Sequence, residues 1–456
     1  MSGLDASFYL LEDENTPLHV ASVVVFEGPA PSYGDLIRTI VGKLPQVPRY
    51  RQRVHPVPLH LGRPVWADDP HFQILYHVRH TALPAPGNDE QLRNLAGRIL
   101  AQRLDPAKPL WEIWLVEGLT GGRWAMIVKV HHCMVDGVAG MDLATVLFDL
   151  SPEHEPPAET ARWEPEAPPS GLDLLVDSAQ RGLTSPVRQL GDVARSTVMP
   201  EARQLRDFAA GLRRAAARFA RPSAGSLNGP IGPHRRWCWQ QVPLGEAKAI
   251  RAALGGTIND VVLASVTAGY RDLLNGRGDL AGDTVVRSAV PVSLRAADEH
   301  GVLDNRVAAV FVNLPVGVDD PLERLRRVRE QTDDVKRSNQ AAGTQTLTRL
   351  TDTAVAPALL SLGARLPIRL RQDLVQTVTT NVPGPNFPLY VLGRRVLEMH
   401  PYVPLTGGIR AATAIVSYCG SLHFGITGDF DAMPDLDVLA KGVQGGFDEL
   451  ARAAGG

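Results

Sequence analysis

Apolar residues recur along this chain with two spacings, one typical of strands and one typical of helices. Residues 18–26 and 125–130 are short apolar runs rich in β-branched side chains, so both are predicted to be strands. The second run has the composition of a strand buried on both faces. Residues 32–44 and 92–103 are predicted to be helices, the first of them capped by Ser32.

The second half of the chain continues with the same two patterns. Residues 244–254 are predicted to form a helix and residues 285–290 a strand. Another helix is predicted to start near Asp260, where Thr257 or Asn259 is a suitable N-cap.

The last strand and helix follow near the end of the sequence. Residues 415–424 are predicted to be a single strand that contains Gly420. A glycine inside a strand is suited to close approach by another backbone or by a ligand. The final helix is predicted at residues 438–453.

The predicted strand 125–130 delivers two histidines, His131 and His132, at its end. Successive side chains of a strand point to opposite faces, so the two imidazoles cannot both project into one site. One of them is predicted to be catalytic and the other structural. Asp136 can return to the histidine only if the chain turns, and Gly137 permits such a turn. Helical spacing follows at residues 138–150.

A neutral imidazole is a suitable general base near neutral pH, because its ordinary pKa is about 6.5. It could take a proton from a hydroxyl or an amine that attacks an activated acyl carbonyl. The alternative is a pair of hydrogen-bonded core histidines followed by an aspartate that caps a helix.

Two other chemistries are disfavoured at the same residues. Cys133 is a strand neighbour of His132 and should point away from it, which argues against a cysteine nucleophile. A metal site on His131, His132 and Asp136 is disfavoured because neighbouring strand positions diverge and no further ligand is evident.

Composition narrows the class of protein. A chain of 456 residues with 44% hydrophobic content is expected to form two domains, and a net charge of −2 does not favour nucleic acid as a partner. Three distant cysteines suggest a reducing, cytoplasmic setting. The N-terminal residues lack the pattern of a signal peptide, and no apolar run is long enough to predict a membrane span.

A change of composition divides the chain. Residues 151–170 are rich in proline and glutamate and are predicted to be a linker, and residues 181–221 are locally basic. Within them, apolar residues at helical spacing alternate with arginines, which indicates either a membrane-surface helix or a bridging helix with a solvated face. The predicted domains are 1–165 and 236–456, joined by a connector at 166–235.

The motif His-His-x-x-x-Asp-Gly at residues 131–137 resembles the active-site motif of the CoA-dependent acyltransferase superfamily. Flanking segments are similar to those of the bacterial wax ester synthase/acyl-CoA:diacylglycerol acyltransferase family: Pro-Leu-Trp at 109–111, Asn-Asp at 259–260 and Asn-Val-Pro-Gly-Pro at 381–385. The resemblance, which is to the actinobacterial triacylglycerol synthase type, runs over essentially the whole chain. It implies a mixed α/β fold of two chloramphenicol-acetyltransferase-like domains, with the active-site tunnel at their interface.

The resemblance also implies roles for particular residues. His132 would be the general base, His131 would fix the loop, Asp136 would organise it, and Gly137 would leave room for the thioester. Arg51 or Arg53 would pair with Asp136. The implied substrate-binding residues are Pro109, Leu110, Trp111, Asn259, Asp260, Asn381, Ser417 and Gly420.

Some of these residues have a second interpretation. The Pro-Leu-Trp motif at 109–111 could instead be a rigid loop with an anchoring aromatic residue. Asp260 is expected to be structural, while Asn259 or a backbone amide is the candidate donor to the oxyanion.

The implied reaction is direct acyl transfer from acyl-CoA to a lipid alcohol, with no metal and no cofactor beyond the CoA co-substrate. The acceptor is diacylglycerol, which yields triacylglycerol, or a long-chain alcohol, which yields a wax ester. A peptide-forming role is less favoured. The rival from another class is a non-catalytic membrane or lipid-droplet binder that keeps the fold. The expected location is the cytoplasm, at the periphery of the inner membrane or of lipid droplets.

Overall fold

A computed structural model of the chain describes residues 1–58, 62–134, 147–153, 163–171, 173–174, 225–293, 307–341 and 375–455. Asp136 and Gly137 lie outside these ranges, as do the predicted basic helix within residues 181–221 and most of the predicted helix 138–150. Two six-stranded sheets organise the described part of the chain.

The first sheet has the strand order β11-β12-β1-β6-β5-β4. Its strands are β1 (His19–Phe26), β4 (Val78–Ala82), β5 (Trp111–Leu119), β6 (Arg123–His131), β11 (Tyr390–Val391) and β12 (Arg394–Tyr402). All neighbours are antiparallel except β4 and β5, which are parallel. A separate hairpin is formed by β2 (Gln52–His55) and β3 (Val65–Asp68).

The second sheet has the order β7-β14-β13-β10-β8-β9. Its strands are β7 (Arg235–Pro243), β8 (Val286–Ser293), β9 (Val307–Leu314), β10 (Thr377–Val382), β13 (Ala411–Tyr418) and β14 (Ser421–Asp429). Here β10 runs parallel to both of its neighbours, and the other pairs are antiparallel. Both sheets are therefore mixed.

Eight helices accompany the sheets in the described residues. They are α1 (Gly3–Leu11), α2 (Tyr33–Lys43), α3 (Ile74–His77), α4 (Asp89–Ala101), α5 (Leu244–Leu254), α6 (Ile258–Arg277), α7 (Pro321–Ala341) and α8 (Leu436–Gly455). The predicted helix 244–254 is confirmed residue for residue as α5, and Ser32 and Thr257 are confirmed as the N-caps of α2 and α6.

Strand β1 shows why the first sheet is buried on both faces. Val24 and Phe26 belong to one apolar cluster, while Val23 and Val25 belong to another. Alternate side chains of a strand leave on opposite faces, so a continuous apolar run such as residues 23–26 requires cover on both sides.

The C-terminal half contributes two strands, β11 and β12, to the first sheet. Strand β12 pairs with β1, with Val23 opposite His400, and it passes close to β14 of the second sheet. A Cβ atom at Gly425 would lie 1.5 Å from the Pro401 carbonyl oxygen, so this crossing requires glycine.

The predicted single strand 415–424 is wrong. The chain forms two antiparallel strands, β13 and β14, joined by a tight turn at Cys419 and Gly420. Both turn residues have positive φ angles, 41° and 82°, which glycine adopts without strain. Gly420 therefore serves the turn, and a Cβ atom added there would meet nothing within 4 Å.

Among the described residues, no single helix has both the length and the apolar composition needed to cross a membrane, although α5 and α6 together, bent by 103°, meet those criteria.

Candidate active site

The two histidines sit where β6 ends. His131 is the last residue of the strand, and His132 begins a 3-10 turn, His132–Met134. The His131 amide donates to the Leu110 carbonyl at 2.9 Å, and the His132 amide donates to the Leu18 carbonyl at 2.8 Å. The residues that precede β5 and β1 thus hold the backbone of both histidines.

His131 is fully buried, and its ring has a definite tautomer. The amide of Cys133 donates to His131 Nδ1 at 3.1 Å, so the proton of the neutral ring resides on Nε2. That nitrogen faces Glu12 Oε2 at 3.6 Å, which is an ion-pair distance rather than a hydrogen bond. His131 therefore holds the turn on one side and meets a carboxylate on the other.

Glu12 connects His131 to the rest of the first domain. It lies 3.3 Å from Arg103 and accepts the Leu18 amide at 3.2 Å. Burial acts to raise the pKa of the Glu12 carboxyl, but His131 and Arg103 together bring that pKa below its ordinary value. Glu12 is thus a buried carboxylate that is charged at neutral pH.

His132 faces a different environment, against α1. Its imidazole stacks on the Phe8 ring with centroids 4.0 Å apart and an interplanar angle of 23°. His132 Nδ1 is buried and has no partner in the part of the chain that the structure describes. Burial and the neighbouring His131 lower the pKa of His132, only partly opposed by its own carbonyl and by Asp5. The ring is therefore neutral at pH 7.

Cys133 does not take the position expected for a strand neighbour of His132. Because β6 stops at His131, Cys133 lies in the 3-10 turn, with its Sγ atom 2.9 Å from His131 Nδ1. Burial, together with Asp5 and Glu12, raises the pKa of this thiol far above its ordinary range. A thiolate nucleophile is disfavoured for that reason rather than by strand alternation.

The Pro-Leu-Trp motif lies beside the histidines and has clear anchoring contacts. All three residues are buried, and the Trp111 indole N–H donates to the Tyr50 carbonyl at 2.8 Å. The His77 ring stacks on Trp111 at 4.6 Å. These contacts, with the hydrogen bond from His131 to Leu110, support the interpretation of the motif as a rigid anchor.

Arg51 and Arg53, the arginines proposed to pair with Asp136, follow Tyr50, whose carbonyl accepts the Trp111 indole N–H. Arg51 stands 5.2 Å above the Trp163 ring, and Arg53 Nε is buried without a partner in the described ranges. Because Asp136 is outside those ranges, its pairing with either arginine stays a prediction.

The second-domain candidates form their own group. Asn381 Nδ2 donates to Asn259 Oδ1 at 3.4 Å, and Ser417 Oγ accepts the Gly384 amide at 3.1 Å. Within the described residues, no hydrogen bond links this group to His131 or His132. The structure therefore brings Asn259 and Asn381 together, while Gly420 lies apart in its exposed turn.

Asp260 is buried and serves the start of α6. Its Oδ2 atom accepts the Thr257 amide at 2.7 Å and the Thr257 hydroxyl at 2.8 Å, and its Oδ1 atom accepts the Thr332 hydroxyl at 2.7 Å. These bonds form a capping box and tie α6 to α7. They support the structural role expected for Asp260.

Four residues of this site were not predicted from the sequence: Asp5, Phe8, Tyr9 and Glu12. Tyr9 approaches His131 edge-on, with ring centroids 6.3 Å apart. The available signal was the spacing of these residues, since positions 5, 8, 9 and 12 recur at the steps that define one face of a helix.

A cleft of about 930 Å³ lies elsewhere, between α4 and the start of β7 with α8. Arg98, Arg236 and Lys441 contribute to its lining, and His131 and His132 do not. The predicted active-site tunnel is therefore not this cleft.

Two family models match the chain. The wax ester synthase/diacylglycerol acyltransferase catalytic domain matches residues 1–262, and the WS/DGAT C-terminal domain matches residues 303–451. The chain is 36% identical over 456 residues to the Mycobacterium tuberculosis (strain H37Rv) protein named "Probable diacyglycerol O-acyltransferase tgs1", covering 99% of this chain and 95% of that protein.

Solved structures show the same architecture. A wax ester synthase/diacylglycerol acyltransferase from Marinobacter aquaeolei VT8 is similar with a TM-score of 0.68 and 25% identity, over 99% of this chain and 98% of that chain. The starter condensation domain of rhizomide synthetase, in complex with C8-CoA, shares the fold with a TM-score of 0.58 and 14% identity, over 100% and 94% of the two chains. The predicted mixed α/β fold of two related units is confirmed.

Proposed function

The chain belongs to the wax ester synthase/diacylglycerol acyltransferase family, and from this premise we propose that it transfers a long-chain acyl group from acyl-CoA to diacylglycerol, with His132 as the general base. The observation that carries this proposal is the state of His132. It is held by backbone hydrogen bonding at the end of β6, stacked on Phe8 and kept neutral by burial.

In the proposed reaction, His132 takes the proton of the acceptor hydroxyl while the oxygen of that hydroxyl attacks the thioester carbonyl carbon. A C–O bond forms, the C–S bond breaks, and the proton passes from the imidazolium to the departing CoA thiolate. The thioester is already activated, so no covalent enzyme intermediate is needed. Holding both substrates together replaces a bimolecular encounter by an oriented contact.

The remaining groups have supporting roles in this proposal. His131 and Glu12 hold the turn that carries His132, and Asn259, restrained by Asn381, is the candidate donor to the oxyanion. Asp136 would organise the loop that follows. Because the acceptor is a lipid, the enzyme would meet it at a membrane or droplet surface.

Diacylglycerol is proposed as the acceptor because the mycobacterial relative, at 36% identity, is named for that activity. A long-chain alcohol is the second candidate, since the similar Marinobacter protein carries both activities in its name.

The test is acyl transfer from radiolabelled palmitoyl-CoA, with dioleoylglycerol and hexadecanol offered in separate reactions. His132→Ala should lower the rate by about 10² to 10⁴, the usual contribution of a general base. His71→Ala, which removes an exposed histidine of the first domain, is the matched control and should keep wild-type activity.

Triacylglycerol formation that depends on His132 would support the proposal as stated. If only wax ester forms, the acceptor is a long-chain alcohol instead of diacylglycerol, and the proposed mechanism stands. If neither product forms, or if His132→Ala is as active as wild type, the proposal is wrong and the non-catalytic lipid binder becomes the better hypothesis.

A further inference from the structure

Helix α1 presents one face to the histidine pair. Its N-cap is Ser2, whose hydroxyl oxygen accepts the Asp5 amide at 3.1 Å and whose hydroxyl donates to the Asp5 carboxylate at 2.6 Å. Phe8, one turn further, stacks on His132, and Glu12 at the C-cap faces His131. A single short helix thus contacts both imidazoles through different side chains.

The contact of Phe8 with His132 is face to face. At a centroid distance of 4.0 Å and an angle of 23°, the phenyl ring covers one side of the imidazole. The backbone of His132 is held independently by the Leu18 carbonyl. Rotation of the imidazole about its side-chain bonds would therefore have to displace the Phe8 ring.

We propose that Phe8 is a positioning residue for the acyl-transfer base: its ring holds the His132 imidazole in one orientation and shields one face of it from water. This inference rests on the proposed function and deepens it. Phe8 contacts no reacting atom in this scheme and acts only through His132.

Shielding has a consequence for the acid–base behaviour of the site. The titratable groups that bear on His132 are His131 of β6, which opposes its protonation, and Asp5 of α1, which favours it. Burial is the largest effect and lowers the pKa of His132. A smaller aliphatic side chain at position 8 would admit water to the ring, so that pKa should rise toward its ordinary value.

The sign of the activity change follows from the form of histidine that reacts. A general base must be neutral, so activity falls when the pH drops below the pKa of His132. The acid limb of the pH–rate profile should therefore lie at higher pH in Phe8→Leu than in wild type.

A purely structural role for Phe8 would give a different result. Phe8 also packs against the apolar cluster on one face of the first sheet, so its removal will lower stability in either case. Ala6→Gly is the matched control, because it weakens α1 at a buried position without changing the ring on His132.

The experiment compares wild type, Phe8→Leu, Phe8→Trp and Ala6→Gly in two measurements. The first is the pH profile of kcat/KM for palmitoyl-CoA with dioleoylglycerol. The second is an NMR titration of ¹³C-labelled histidine, which follows the His132 pKa whether or not the protein is active, with His132→Ala assigning the signal.

We expect Phe8→Leu to raise the His132 pKa, to move the acid limb to higher pH and to lower kcat/KM by about twofold to tenfold, the usual range for loss of one ring contact. Phe8→Trp should restore both values toward wild type, and Ala6→Gly should lower the melting temperature without moving either.

An unchanged His132 pKa in folded Phe8→Leu would overturn the inference, as would an equal shift in Ala6→Gly. If wild type shows no acyl transfer, the proposed function fails, and the NMR titration still decides whether Phe8 governs the state of His132. If Phe8→Leu does not fold, Phe8→Trp decides the same question: a His132 pKa that rises in Phe8→Trp, although an aromatic ring still covers the imidazole, would contradict the inference.

Discussion

The central strands of the two sheets bury different kinds of polar side chain. In the first sheet, β5 and β6 bury ionisable residues, namely Glu112, Lys129 and His131. In the second, β10 and β13 bury hydroxyls, namely Thr377, Thr379 and Thr413. The ionisable residues that the second sheet buries lie on its other strands, at Arg235, Arg287, His423 and Asp429, so the contrast concerns these pairs of strands and not the whole interiors.

The buried polar side chains of the two sheets have different kinds of partner. Lys129 donates to the Gln102 carbonyl at 2.6 Å and lies 3.8 Å from Glu112, and burial lowers its pKa to about 8. Thr379 bonds to Ser288 at 2.8 Å and Thr377 bonds to Tyr270 at 2.6 Å, whereas Thr413 Oγ1 has no hydrogen-bond partner among the described residues. Buried charge is costly unless it is compensated, so its presence beside the histidines supports the proposal that the first unit carries the proton transfer.

The largest effect is expected at Asp260, a buried residue of the second unit with a structural role. Asp260→Ala should lower the free energy of unfolding by about 2 to 4 kcal/mol, because it removes a helix cap and the hydrogen bond from the Thr332 hydroxyl that ties α6 to α7. Denaturant unfolding measures the loss, and Asp260→Asn, which keeps one acceptor oxygen, should lose less. A shifted pH–rate profile in Asp260→Ala would show that the second unit does take part in proton chemistry.

Glu12→Gln removes the charge that, in the proposed function, supports the turn carrying His132. It should lower kcat/KM by about tenfold, equivalent to about 1.4 kcal/mol in the transition state, since the turn that carries His132 loses its charged support. Glu14→Gln, at an exposed neighbouring position, is the matched control and should behave as wild type.

The thermal stability of Glu12→Gln tests the charge of Glu12 independently of activity. The folded pKa of Glu12 lies below its ordinary value, so its charge stabilises the fold at neutral pH and that stabilisation disappears as the pH falls through the folded pKa. Thermal melts of variant and wild type should therefore differ at pH 7 and converge in acid. A difference that is independent of pH would contradict this account.

The smallest effect is expected at Tyr270 on α6. Its hydroxyl bonds to Thr377 Oγ1 at 2.6 Å, and burial raises its pKa to about 12, so it stays neutral throughout the working range. Tyr270→Phe should cost about 1 kcal/mol in unfolding free energy and leave acyl transfer unchanged. A loss of activity larger than the unfolded fraction of Tyr270→Phe would mean that the buried hydroxyls of the second unit contribute to acyl transfer.

Local pattern alone determined much of this molecule. Apolar spacing predicted α5 and the strands on which the histidines depend, capping chemistry predicted the starts of α2 and α6, and the motif at 131–137 identified the family. These features are encoded by residues within a few positions of one another, where periodicity and side-chain hydrogen bonding act directly.

Only the tertiary structure decided which distant residues meet. The strand pairing that sets His19 opposite His131 also brings α1 over the histidines, and with it Phe8 and Glu12. Likewise, β12 enters the first sheet from the C-terminal half, and Gly420 turned out to form a hairpin turn. Such contacts depend on strand register and loop closure over long stretches of chain, which no local pattern specifies.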